Sequence, residues 1–338
     1  MPASARPAPE AFRRGLSAVV ANPGLILAPL AFGLAVFASI VAPMLLLLLR
    51  VGVSFWPGGT AALLRDPARL PDRLGDFLEG LMAAPFALVG GLLSLLVVLL
   101  LLTLLAAYIR AGITGCLLAI DAHAAEDAPL SAFRHPGLAS VFFSSARRGT
   151  GRFFALVNIY GLALACVVLV LVLPLGIAVV AGLSERVGIT VFAFVLFLVA
   201  LPLVIGGSVA LRVLYLVACR LAVSEDVDGL EAFGRAVAWT RASLSAAVVL
   251  YLLTLAAGLV TGFAFAIPRF ALTLVGGNSF ATFALGSAVI ILAQTLVGFA
   301  YDLTVSGSFV SLWPAAPTAD VPPPGARPNI ADTSPPVM

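Results

Sequence analysis

The chain has 338 residues, of which 62% are hydrophobic and 10% charged, with a net charge of +3. A water-soluble domain carries about 25% charged residues, so this composition and a mean hydropathy of +1.13 exclude an ordinary soluble globule. The charge balance is also too slight for a basic face that would engage nucleic acid, and no nucleic-acid partner is expected.

All 19 basic side chains are arginine, beside 31 Gly and 23 Pro, a usage that points to a GC-rich bacterial genome. The three cysteines, Cys116, Cys166 and Cys219, form no C-x-x-C, and the two histidines, His123 and His135, are too few for most metal sites. No metal and no cofactor is expected.

In chain order, residues 1–9 are rich in Pro and Ala and predict a disordered lead. The apolar region after Arg14 is too long for the core of a signal peptide, and no cleavage site follows. Six apolar runs then predict transmembrane helices over 25–49, 82–107, 154–179, 189–209, 244–266 and 280–301. Each meets the roughly 20 residues needed to cross a bilayer. Their unbroken hydrophobicity excludes barrel strands, which alternate over about 10 residues. Between the first two, Leu74, Phe77, Leu78 and Leu81 follow helical spacing. With Trp56 they predict either a helix on the outer membrane surface or a connecting helix packed on the bundle. After the last run, residues 314–338 hold eight prolines and predict a disordered or polyproline-like tail. The chain thus divides into 1–9, a membrane domain over 10–313, and 314–338.

Orientation follows from arginine placement. Arg6, Arg13 and Arg14 precede the first span. Arg134, Arg147, Arg148 and Arg152 follow the second, and Arg220, Arg235 and Arg241 follow the fourth. The third and fifth connections hold only Arg186 and Arg269. Arg65, Arg69 and Arg73 in the first connection run against the trend, beside Asp66, Asp72, Asp76 and Glu79. The bias predicts an inner-membrane protein with both termini in the cytoplasm.

A short phrase recurs before alternate spans: Glu10-Ala11-Phe12-Arg13-Arg14, Ser131-Ala132-Phe133-Arg134-His135 and Glu231-Ala232-Phe233-Gly234-Arg235. Phe12, Leu16, Val19 and Val20 form one apolar stripe, and Leu230, Phe233 and Val237 another. The fold class expected is therefore an all-α membrane bundle. Its six helices form three hairpins, each led by a short amphipathic helix at the interface with its arginines at lipid phosphates.

The stretch from Tyr215 through Cys219-Arg220-Leu221-Ala222-Val223-Ser224-Glu225-Asp226, then Leu230-Glu231-Ala232-Phe233 and Trp239-Thr240-Arg241, resembles a family of six-helix bacterial membrane proteins. That family includes the membrane domain attached to some glycerophosphodiester phosphodiesterases. Tyr301-Asp302-Leu303 resembles the close of its last span, although Thr304 stands where an arginine is usual. The resemblance covers about residues 11–303. It implies the same six-helix architecture and carries no catalytic activity, and no loop is long enough for a catalytic barrel of about 250 residues.

The candidate site residues are the polar groups of the spans: Asp302, Arg212, Asn158 and Gln294. Ionisable groups within the membrane mark functional sites by default. Asp302 and Arg212 lie at matched depth in spans six and four, so an ion pair between them is expected. Asn158 and Gln294 are expected to bond neighbouring helices or line a polar path. No intramembrane Ser/His pair, H-E-x-x-H or phosphate-binding glycine loop occurs, so no enzyme is expected. The function expected is a membrane scaffold or lipid-associated accessory protein, with a small-solute or lipid transporter as the alternative. The expected partners are membrane lipids, other membrane proteins or a second copy of the chain.

Overall fold

A computed structural model describes residues 5–43, 85–124, 128–183, 187–275 and 280–313. Among the described residues every regular element is helical. The helices are α1 (Ala8–Ala21), α2 (Leu27–Val36), α3 (Pro85–His123), α4 (Leu138–Leu183), α5 (Val187–Ser224), α6 (Gly229–Ala242), α7 (Leu244–Val275) and α8 (Phe280–Ser311). A 3-10 turn at Pro23–Ile26 leads into α2, and a π turn at Phe37–Val41 continues it. Six of these segments are long and apolar enough to cross a membrane. The expected surface helix over 74–81 and the proline-rich tail lie outside the described residues.

The helices outrun the apolar stretches that define them. α3 has 39 residues, α4 has 46 and α5 has 38. At 1.5 Å per residue, α3 is about 58 Å long, against a hydrocarbon layer of about 30 Å. The segments read from sequence as loops after spans two and four are in large part continuations of these helices. Pro174, Pro202 and Pro268 all sit within unbroken helices, where neighbouring helices and local adjustment accommodate a proline.

The buried core gathers at one end. It joins α1 and α6, the C-terminal parts of α3, α5 and α8, and the N-terminal parts of α4 and α7. Ile120, Phe153, Leu221, Leu250, Phe309 and Trp313 are fully buried there. Away from that end the same helices turn large apolar side chains outward, including Leu101, Val170, Val199, Phe263 and Leu292. No more than 17% of the apolar window of any span is buried. A soluble protein does not leave so much contiguous apolar surface open, and these stretches are compatible with a hydrocarbon surrounding.

α1 and α6 pack largely by their small residues. α1 buries Ala8, Ala11, Arg14, Gly15, Ala18 and Val19, while Leu16 and Val20 are exposed. α6 buries Gly229, Ala232 and Ala236, and Leu230 is 72% exposed. Small residues win because they let backbones touch. A Cβ on Gly15 would stand 2.4 Å from the Ser308 backbone nitrogen of α8, and one on Gly229 would stand 2.5 Å from the Arg152 carbonyl of α4.

The second copy of the phrase is not an amphipathic α-helix. Leu130–Phe133 makes a single 3-10 turn. Pro136 disfavours helix at the residue before it, and Gly137, at φ 77°, turns the chain into α4. The order of the chain also begins earlier than its composition implies. The Arg6 backbone N–H donates to the Leu312 carbonyl at 2.7 Å, and Ala8 and Pro9 belong to the first turn of α1, where proline is well tolerated.

Candidate functional site

Asp302 of α8 is the junction of three helices. Its Oδ2 accepts from Arg110 Nη2 of α3 at 2.8 Å, and its Oδ1 accepts from Arg212 Nη2 of α5. Arg110 Nη1 also donates to Ser306 Oγ at 3.3 Å. The Ser306 hydroxyl donates to the Asp302 carbonyl at 2.9 Å. All three charged residues sit past the midpoints of their helices toward the packed end. One carboxylate thus answers two guanidinium groups, leaving the cluster at +1. The three side chains keep 27–38% exposure, so the cluster stands at the edge of the core and not inside it.

Beside this cluster is a cavity of about 470 Å3 between α2, α3 and α8. Pro29, Phe32, Ile109 and Phe299 wall it, and Arg110 and Asp302 border it. Its shape and chemistry are those of an apolar slot with a charged end. Tyr301, next to Asp302, points the other way. Its hydroxyl donates to the Thr254 carbonyl of α7 at 2.7 Å, against Gly258, where a Cβ would meet that oxygen at 2.8 Å.

The structure therefore brings Arg212 and Asp302 together, adds Arg110, and leaves the other two candidates apart. Asn158 is exposed, and its Nδ2 donates to the Phe154 carbonyl one turn back on its own helix at 2.7 Å. Gln294 lines a separate cavity of about 350 Å3 with Arg269 and Thr273, so these polar groups do not form one path with the cluster. Among the described residues no group of three His, Cys, Asp or Glu side chains converges to hold a metal ion.

A second arginine–aspartate–arginine cluster lies deeper in the packed end. Arg14 Nε of α1 donates to Asp121 Oδ1 of α3 at 2.7 Å, and its Nη2 donates to the Asp121 and Ala124 carbonyls at 2.9 Å each. Arg6 Nη1 reaches Asp121 Oδ2 at 3.1 Å and the Ser311 carbonyl at 3.0 Å. Arg14 and Asp121 are only 1% and 7% exposed. Arg14, expected at lipid phosphates, is thus enclosed and paired, because Asp121 and the last carbonyls of α3 offer a closer partner. Arg220 plays the same part for α8. Its Nε donates to the Val310 carbonyl at 2.9 Å and its Nη2 to the Trp313 carbonyl. The guanidinium lies 5.5 Å from the Trp239 ring centre and 5.9 Å from that of Trp313. Cations at helix C-termini satisfy orphan carbonyls and oppose the negative end of the dipole.

Sequence reasoning missed Asp121, Arg6 and Arg220 in these roles. Arg110 carried a signal: it precedes the Ala132-Phe133 pair by 22 residues, much as Arg212 precedes Ala232-Phe233 by 20. Compared with family models, curated proteins and solved structures, the chain matches none.

Proposed function

We propose that this chain is a non-enzymatic, lipid-associated membrane scaffold of the bacterial inner membrane. One observation carries the reading: the buried core is concentrated at one end, while the spans present apolar side chains outward along most of their length. The division suits a packed platform at the membrane surface, held by six lipid-solvated anchors. The arginines of that end support its placement on the cytoplasmic side with both termini. Leu16, Val20 and Leu230 are exposed on α1 and α6, which supports these two helices lying at the interface. The six spans would then form three hairpins, two of them led by such helices. Six apolar helices also suit membership of the six-helix family that the motifs around Tyr215 and Asp302 resemble.

The alternative is a lipid or small-solute transporter, favoured by the cavity that Arg110 and Asp302 border. Against it, the Asp302 carboxylate is shared by two arginines, and Asn158 and Gln294 continue no polar path from it. Reconstitution into vesicles tests the choice. Purified protein is expected to retain phospholipid yet to catalyse no lipid transfer between leaflets and no solute flux. Transfer or flux that is lost in Asp302→Asn would establish the transporter and overturn the scaffold.

A further inference from the structure

We propose that the cleft between α5, α6 and α7 binds one membrane phospholipid with an anionic headgroup, whose phosphate is held by Arg241. The proposal rests on the lipid-associated reading and gives it a site. The cleft holds about 540 Å3, within the roughly 300–1,000 Å3 of ordinary ligand pockets. Val209, Val213, Val237 and Val248 wall it, and its polar residues include the consecutive pair Thr240 and Arg241 on the last turn of α6.

Arg241 calls for an acceptor. Arg235, on the same helix, is engaged by Glu225 and Glu231. Arg241 is exposed and has no carboxylate partner among the described residues. A phosphate offers oxygens to its guanidinium, and a charged pairing makes such bonds strong.

The occupant follows from the continuity of the walls. Leu244, Val248 and Leu252 line the cleft and are 58%, 47% and 55% exposed, so the cleft runs directly into lipid-facing surface. Trp239, half-buried, stands two residues before Arg241, and tryptophans concentrate at headgroup depth. An apolar groove ending in a cation at that depth fits an acyl chain joined to a phosphate. An apolar helix of another protein, or of a second copy, would leave Arg241 unanswered.

Native mass spectrometry of detergent-purified protein, titrated with phosphatidylglycerol or phosphatidylcholine, tests the site. The wild type is expected to take up one phosphatidylglycerol in preference to phosphatidylcholine. Arg241→Gln should weaken phosphatidylglycerol binding about five- to tenfold, the effect of one interfacial arginine, and Arg241→Lys should largely retain it. Ala210→Phe, which adds bulk at an exposed lining position, should weaken both lipids. Melting temperatures check that each variant is folded; if Arg241→Gln is not, Arg241→Lys and Ala210→Phe decide. Unchanged phosphatidylglycerol binding in Arg241→Gln and Ala210→Phe would overturn the site and leave the lipid-associated reading standing. No retained lipid of either kind in the wild type would overturn both. A dimer that Ala210→Phe dissolves without any change in lipid binding would give the cleft to a second copy and overturn the proposal.

Discussion

Replacing Asp121 by alanine is the sharpest perturbation of the packed end. Arg14 is 1% exposed and its Nε lies 2.7 Å from the carboxylate; Arg6 is 12% exposed and shares the same group at 3.1 Å. Removing the carboxylate leaves an enclosed guanidinium whose remaining partners include the Asp121 and Ala124 carbonyls. Breaking a buried pair in this way costs about 3–5 kcal/mol, because the surviving charge is uncompensated. At about 2–4 °C per kcal/mol, the melting temperature should fall by roughly 6–20 °C. Cys116 and Cys219 are buried within the same packed end, so a thiol-reactive dye reports its opening, with the exposed Cys166 first replaced by serine. The paired replacement Arg14→Met with Asp121→Leu should recover much of the loss, since an apolar pair of similar volume is often neutral. A fall of less than about 2 °C in Asp121→Ala, which corresponds to under about 1 kcal/mol, would refute the claim that this carboxylate holds α1 to α3.

Three further outcomes are expected. Gly15→Ala should destabilise by about 1–3 kcal/mol through overpacking, because its Cβ would stand 2.4 Å from Ser308; Gly24→Ala, with nothing within 4 Å, should be neutral in the same melting assay. Asp302→Ala and Arg212→Ala should be non-additive by about 0.5–3 kcal/mol in a double-mutant cycle, and strict additivity would count against the cluster. Asp226 hydrogen-bonds Arg152, and that bond and charge hold its carboxyl below the usual carboxylate range. The pair's contribution is therefore present above the ordinary carboxylate range and lost as pH falls through the lowered value; Arg152→Gln should move the Asp226 titration, followed by NMR, back upward.

The spans were legible because hydrocarbon imposes one demand, a long run without charge, that nothing else in the sequence mimics. The ends of α3, α4 and α5 were not, because beyond the hydrocarbon their composition turns mixed and reads as loop. The Arg212–Asp302 contact followed from matched depth in two spans. Arg14 and Asp121 are separated by 107 residues, and no local pattern joins them. The packing faces of α1 and α6 were not legible, for a physical reason. Bulky apolar residues mark the buried face of a helix in water, but beside lipid they can equally face outward, and small residues such as Ala11, Gly15, Ala232 and Ala236 mark the close contacts. The second copy of the repeated phrase failed as a helix because Pro136 follows it, a local signal that the similarity of Ala132-Phe133 to its counterparts obscured.

On the proposed placement, lipid solvates the outer stretches of the spans while the ends of α3, α4 and α5 pack together in the water phase. Spin-label accessibility in bilayers tests it most directly, with labels at Leu101, Val170 and Val199, all exposed on the apolar stretches, and at Ser144 and Arg148, exposed on the N-terminal part of α4. The first three should collide with dissolved oxygen and not with a polar nickel chelate, and the last two with the chelate. Chelate access at Leu101, Val170 and Val199, or oxygen-only access at Ser144 and Arg148, would contradict the account.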